Sequence, residues 1–207
     1  MRKVAILDGC SFARNAINHL VSESVDMTCS LMTDDCSVLL TAFKAGIPMN
    51  DIVTYVNPGD FDMVKVLNIL MRSASPPRII SMVDDGDILM LRLPHAIGGN
   101  FIVSRQGAVN ELHNILQCHL LNHYISYKLQ LAIQKHHPHP LWLTEAMTLD
   151  GTQILTATES EILIDLLQGK STKFVATKRL ISEKTISTHK LNALRKLRLK
   201  NLNAFFI

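Results

Sequence analysis

Residues Leu155 to Leu199 read LTATESEILIDLLQGKSTKFVATKRLISEKTISTHKLNALRKLRL. Three helical patterns lie end to end, separated by two short turns, and the last is rich in Lys and Arg. Thr156-Ala157-Thr158-Glu159 is a capping-box pattern in front of an apolar run. The first helix is expected to bury Ile162, Leu163, Leu166 and Leu167, with Gly169 as its stop. The second starts near Ser171 and carries Phe174, Val175 and Ala176. Ser182 is placed to cap a third helix, from Glu183 to about Arg198. This is how a helix-turn-helix looks in sequence.

Spacing divides the third helix into faces. Ile186, Ala193 and Leu197 lie seven and four apart, so they share one side and should pack on the first two helices. Lys184, Thr188, Leu191 and Arg195 fall on a different side, with Ser187 beside them. That face is small, polar or basic, as a helix entering the major groove requires, because hydroxyls and one aliphatic chain can meet base edges or a thymine methyl. Lys190, Lys196, Arg198 and Lys200 would flank the groove and reach phosphates. The competing explanation is a basic amphipathic helix that merely solvates one face.

Charge is distributed accordingly. The chain of 207 residues has a formal net charge of +3, but from Gly151 onward ten Lys/Arg stand against four Asp/Glu, leaving the rest at −3. An anionic partner is therefore expected at the C-terminus. Apolar residues make up 47%, enough for a core and against global disorder. No apolar run approaches the ~20 residues that span a bilayer, and no leader pattern is present, so no membrane contact and a cytoplasmic, nucleoid-associated location are expected. Cys10, Cys29, Cys36 and Cys118 form no CxxC pair and read as free thiols.

Upstream, five apolar strands alternate with five helices. The strands are Val4–Leu7, Met27–Met32, Ile52–Val56, Ile79–Val83 and Phe101–Val103. The helices are one capped by Ser11 and burying Phe12, Ala16, Ile17, Leu20 and Val21, then Asp34–Ala45, Asp60–Met71, Ile88–Leu93 broken by Pro94, and one from Ala108 to at least Leu121. Apolar strands between helices imply a doubly wound parallel sheet covered on both faces, with chemistry at the carboxyl ends of the strands. Those ends hold Asp8, Thr54/Tyr55, Val83/Asp84 and Ser104/Arg105. Tyr124–Ile133 either extends the fifth helix or forms another short element. The surplus apolar surface of Val109, Leu112, Ile115, Leu116, Leu120, Tyr124 and Tyr127 is either a dimer interface or buried against the linker and Trp142. The prolines of Lys135–Pro140 begin a linker, within which Leu141-Trp142-Leu143 should dock on a domain. The division is thus 1–134, linker 135–153, and 154–207.

Six histidines fall between His113 and His139, and His119 and His123 share a helical face, but no carboxylate or further sulfur ligand completes a cluster, so no metal and no cofactor are expected. Asp84-Asp85-x-Asp87 reads as a solvated turn. Gly98-Gly99 lacks the lysine and helix of a phosphate cradle. No nucleophile or acid/base set is complete, which argues against an enzyme and names no small-molecule ligand.

The run Leu155-Thr156-x-x-Glu159-x-Glu161-Ile162-Leu163, Gly169, Lys173, Ala176 and Ile181-Ser182-Glu183-Lys184-Thr185-Ile186-x-x-His189-x-x-Asn192-x-x-x-Lys196-Leu197 resembles the C-terminal domain of LuxR/NarL/FixJ-type bacterial transcription regulators. The resemblance implies a four-helix helix-turn-helix domain that binds double-stranded promoter DNA, usually as a dimer. By position it makes Ser187, Thr188 and Leu191 base-reading and Lys190 and Lys196 backbone-contacting. Arg179 departs from the family's apolar residue, so either the helix end is rewound or Arg179 turns toward DNA. The fourth helix is cut to Asn201–Ile207. The first domain resembles the flavodoxin-like receiver domain of such regulators, with an emptied phosphorylation pocket. Asp8 matches the first acid, Gly9 replaces the second, Thr54 or Tyr55 stands at the acceptor position, and Arg105 replaces a lysine. One acid and no acceptor cannot assemble the cation and phosphoryl site. The whole resembles the auxiliary regulators of capsule-synthesis (Rcs) systems, which implies a dimer with itself or with a response-regulator partner.

Overall fold

A computed structural model describes residues 1–85, 88–118, 122–136 and 153–206, without the side chains of 88–90 and 132–136. Six strands, β1 (Arg2–Leu7), β2 (Met27–Thr33), β3 (Asp51–Tyr55), β4 (Arg78–Val83), β5 (Phe101–Ser104) and β6 (Tyr124–Ile125), pair in the order β2-β1-β3-β4-β5-β6. All pairings are parallel. The helices are α1 (Ser11–Ser22), α2 (Cys36–Lys44), α3 (Phe61–Met71), α4 (Ile88–Ala96), α5 (Ala108–Gln117), α6 (Tyr127–His136), α7 (Ala157–Leu167), α8 (Thr172–Arg179) and α9 (Glu183–Lys196). A receiver-like sheet with helices on both faces thus precedes a helical domain, as the strand–helix alternation implies.

Alternation along β1 supplies both faces of the sheet. Ala5 and Leu7 join the core beneath α2, α3 and α4, while Val4 and Ile6 join the core beneath α1 and α5. Asp35 and Asp60 cap α2 and α3 by accepting from Ser37 and Met63 amides. Glycine is needed at one tight approach: a Cβ on Gly99 would stand 2.7 Å from the Pro94 carbonyl oxygen.

Several expectations are corrected. Ser11 does not cap α1: it is the first helical residue, and the capping position is Cys10, which makes no side-chain bond. Phe12 is 85% exposed and Ala16 is also exposed, because the inward stripe is only Ile17 and Val21, with Leu20 half-buried. α4 passes through Pro94 and ends at Ala96. The lost amide is outweighed by burial of Leu91, Leu93 and Ala96 in the core. α5 stops at Gln117, where Cys118 turns extended, and the chain returns as β6, with the Tyr124 amide donating to Asn100 O at 2.7 Å. Leu112, Ile115 and Leu116 are buried under the sheet, which leaves Val109 and Tyr127 exposed. Leu120, Leu121, His119, Asp87 and the Leu141-Trp142-Leu143 segment lie outside the described residues.

In the C-terminal domain the expected faces form. Thr156 and Glu159 make the reciprocal capping box of α7, Ser171 caps α8 and Ser182 caps α9. Ile162, Leu163, Leu166, Leu167, Val175, Ala176, Ile186, Ala193 and Leu197 are buried, but Phe174 is 54% exposed. The expected fourth helix is a 3-10 turn, Leu202–Phe205, capped by Asn201. α8 ends at Arg179, and Leu180 takes the left-handed conformation, φ +55°, fully outside. Arg179 turns inward, its guanidinium donating to Glu161 at 2.8 Å and Asp165 at 3.4 Å. Asp165 on α7 is buried and also takes Lys170 and, at 3.3 Å, Lys178. On α9, Lys196 Nζ reaches the buried Glu159 carboxylate at 2.6 Å. At the opposite end of the sheet, buried Asp51 takes Arg2 Nη2 and Arg78 Nε, each at 2.6 Å.

Burial alone would push the Asp165 and Glu159 carboxyls up, but the hydrogen bonds and charge of Lys170 and Lys178 on one, and of Lys196 with the Thr156 cap on the other, hold both below the usual carboxylate range. A carboxyl with a lowered folded value adds stability that is complete above its unfolded value, about pH 4–5, and is lost as pH falls toward the folded value. Urea unfolding followed from pH 7 to pH 3 should show the C-terminal domain weakening through the acid limb, and Asp165→Asn should lower its stability at pH 7 while flattening that limb. An unchanged limb in the variant would refute the assignment. Asp51→Asn strands two arginines at the sheet edge and should cost on the order of 3 kcal/mol in the same experiment.

Candidate nucleic-acid interface

Helix α9 is amphipathic in a way that fixes what it can present. Ile186, Ala193 and Leu194 are buried against α7 and α8, as is Leu197 at its C-terminal cap. On the outward side, Lys184, Thr188, Leu191 and Arg195 are exposed, Leu191 at 61%, and Ser187 and Lys190 are half-buried. Among the described residues, Lys184, Lys190 and Arg195 enter no ion pair. Thr188 donates its hydroxyl to Lys184 O at 3.0 Å, which leaves the oxygen's lone pairs as acceptors. The face therefore offers one aliphatic contact, two hydroxyls and three unengaged cations within three helical turns.

Lys196 departs from the sequence reading. The expectation placed it on a backbone phosphate, but its ammonium is committed to Glu159 and its side chain is 19% exposed. Proximity along the helix could not show this, because the partner lies 37 residues upstream. Arg198 is exposed in a left-handed conformation just past α9, φ +56°, and Lys200 is exposed beyond it. These two stay on the solvent side of the helix end.

The second set of candidates lies at the carboxyl edge of the sheet. Thr54 pairs in register with Leu7 and Ser81, fully buried, its hydroxyl facing the Met63 sulfur at 3.7 Å. Tyr55 points to the other face, where its phenol donates to Asp84 at 2.6 Å and the Arg105 guanidinium lies 3.7 Å from its ring centroid. Burial, then the Asp84 hydrogen bond, raises the Tyr55 hydroxyl above its ordinary value, so it stays a donor at neutral pH. The Ser104 hydroxyl donates to Asp85 beside it. Asp8 is buried, one oxygen accepting from the Cys10 amide at 2.8 Å. Tyr55, Asp84 and Arg105 thus come together, while Thr54 is separated from them by the sheet. No group of three or more His, Cys, Asp or Glu suited to a metal occurs among the described residues. His113 bonds to Gln117 at 3.0 Å on the outer side of α5.

Residues 153–206 match the family model for bacterial regulatory proteins of the luxR family. A curated relative, the transcriptional regulatory protein EntR of Citrobacter freundii, is 24% identical over 203 residues, which cover 97% of this chain and 94% of that protein. Among solved structures, RcsB from Salmonella enterica serovar Typhimurium, bound to promoter rprA in the presence of the phosphomimetic BeF3-, superposes with a TM-score of 0.59 at 21% identity, covering 99% of this chain and 96% of that one. The RcsB response regulator of Salmonella typhimurium gives 0.57 at 20% identity over 99% and 97% of the two chains. Residues 153–206 are therefore a luxR-family domain, and it stands behind a receiver-like sheet whose fold the RcsB structures share.

Proposed function

We propose that this protein regulates transcription by binding promoter DNA through the outward face of α9, and that it does so without phosphorylation. The observation that carries the reading is the division of α9: every apolar residue but Leu191 is packed inward or shielded, while Lys184, Ser187, Thr188, Lys190, Leu191 and Arg195 remain on the side that no other element claims. Leu191 and the two hydroxyls supply base-edge contacts, and Lys190 and Arg195, with Arg198 and Lys200, supply phosphate contacts. RcsB structures that share the fold include ones solved on DNA, in one case as two dimers on two parallel DNAs, which supports a dimer here too. Two recognition helices would then sit about one helical turn apart. No helix among the described residues is long and apolar enough to cross a membrane.

The pocket chemistry supports phosphorylation independence. Thr54 holds the acceptor position with a hydroxyl turned into the core, Gly9 removes the second acid, and Arg105 is stacked on Tyr55. Partner binding or protein abundance then sets activity in place of a kinase. One observation favours the adaptor variant, in which the chain pairs with a response regulator and binds DNA weakly alone: the C-terminal 3-10 turn is packed on Phe61 of α3, with Phe205 buried, and that part of its surface is withheld from a symmetric contact between two C-terminal domains.

Two outcomes test this. In a mobility-shift series over salt on promoter fragments, log affinity should fall steeply with log salt, and Lys190→Ala and Arg195→Ala should each lower the slope by about one. Lys196→Ala should instead lower stability and leave the slope alone, since its ammonium belongs to Glu159. Salt-insensitive binding, or none with a response regulator added, would remove the DNA-binding reading. Acetyl phosphate or beryllofluoride should leave affinity and mass unchanged; a stable phosphorylated species would overturn the pocket argument.

A further inference from the structure

The N-terminal domain does more than precede α9: it grips the end of it. Arg92 on α4, buried, donates from Nη1 to Leu197 O at 3.4 Å. That carbonyl closes α9, where the last helical carbonyls lack partners and the helix dipole is negative, so a guanidinium is the complement the position calls for. Arg72 at the end of α3 donates to Leu155 O at 3.3 Å and Ser160 Oγ at 3.0 Å, and Asn68 Oδ1 accepts from its Nε at 3.0 Å and steadies it. The Leu155 amide in turn donates to Ala96 O at 2.8 Å, at the end of α4. Phe61, the first residue of α3, meets Phe205 and Phe206 edge-on, with centroids 6.1 and 5.7 Å apart. Beneath these contacts a single apolar cluster is continuous across both domains.

We infer that Arg72, Arg92 and Phe61 are positioning residues for DNA recognition: the α3–α4 face of the receiver-like domain holds α9 by its C-terminal end, so that the two domains meet DNA as one rigid body. The geometry sets the direction of the effect. The grip is at Leu197 and at the entry to α7, whereas Lys184, Thr188, Leu191 and Arg195 remain exposed on the free side, so the docked state leaves the groove face open. Buried Arg92 and the more exposed Arg72 direct their hydrogen bonds at defined oxygens, the Leu197 carbonyl from one and the Leu155 carbonyl and Ser160 hydroxyl from the other, which fixes azimuth in a way that apolar contact alone does not. The dock thereby turns the receiver-like sheet, which has no phosphorylation chemistry, into the frame that sets the recognition helix. The positioning effect rests on the DNA-binding reading; the dock itself does not.

The experiment has two arms, on the full chain. In the first, amide hydrogen exchange compares the wild type with Phe61→Ala/Arg72→Ala. Protection should fall together in α3, α4, α7 and the C-terminal half of α9, while β1, β3 and β4 keep theirs; unchanged protection would overturn the dock. In the second, Arg92→Ala is assayed on a duplex selected by the wild type from random sequences and on an unselected 30-base-pair duplex. Affinity for the selected duplex should drop about tenfold. The salt slope on the unselected duplex should stay the same, and Arg92→Lys should restore binding, since an ammonium can still meet the Leu197 carbonyl. Equal loss on both duplexes, or no loss, would overturn positioning. A wild type that selects no duplex would remove the function proposed above, and the exchange arm would still judge the dock.

Discussion

Everything in the C-terminal domain depends on burying one side of α9. A helix this polar does not hold its place by propensity; tertiary packing of its apolar stripe must do so. Ile186, Leu194 and Leu197 each contribute about 1.5–3 kcal/mol by leaving water. Ile186 clusters with Ile162, Leu166, Val175 and Ala176, and Leu197 joins Leu163 and Leu167 in the larger core; these partners come from α7 and α8, whose caps fix where each helix begins. Once that stripe is committed inward, the period of the helix decides which residues are left for a ligand. The interface is thus a consequence of the core.

Charge is handled by the same economy. The domain is basic, yet four of its ten cations are turned onto carboxylates of α7: Lys170, Lys178 and Arg179 around Asp165 and Glu161, and Lys196 on Glu159. These pairs join α7 to α8 and α9 and lower the repulsion that a uniformly basic domain would carry. A count of lysines and arginines therefore overstates the charge available to phosphates, and the pairing identifies which cations remain.

How much of this was legible in the sequence follows from the range of the interactions. The capping box of α7, its stop at Gly169 and the two faces of α9 are set by neighbours a few residues away, and these were readable. The parallel sheet was readable too, because five apolar runs between helices have few other solutions. What escaped depended on distant partners. Lys196 looked like a phosphate contact because nothing nearby in sequence opposes it. Arg179 looked like a rewound helix end or a contact turned toward DNA until Glu161 and Asp165 were brought opposite it. Pro94 looked like a helix end because the local rule is correct and the burial of Leu93 and Ala96 that overrides it is tertiary. Phe12 looked buried because its spacing fits a stripe that the sheet covers only at Ile17 and Val21.

The carboxyl edge of the receiver-like sheet is tied to the C-terminal domain through α4. At the carboxyl edge, Tyr55 and Ser104 hold Asp84 and Asp85, the residues that lead into α4. α4 in turn carries Arg92 and Ala96 to the C-terminal domain. A pocket that accepted a phosphoryl group would have to keep this edge open to a cation and a donor. With Thr54 turned into the core, Arg105 stacked on Tyr55 and Ser104 bonded to Asp85, most of the edge is engaged by its own side chains, and Asp8 keeps one buried oxygen without a hydrogen-bond partner. Satisfied polar groups rigidify what they join. The side chains that close this edge therefore also make a firm support, and the contacts of α4 carry that support to the end of α9.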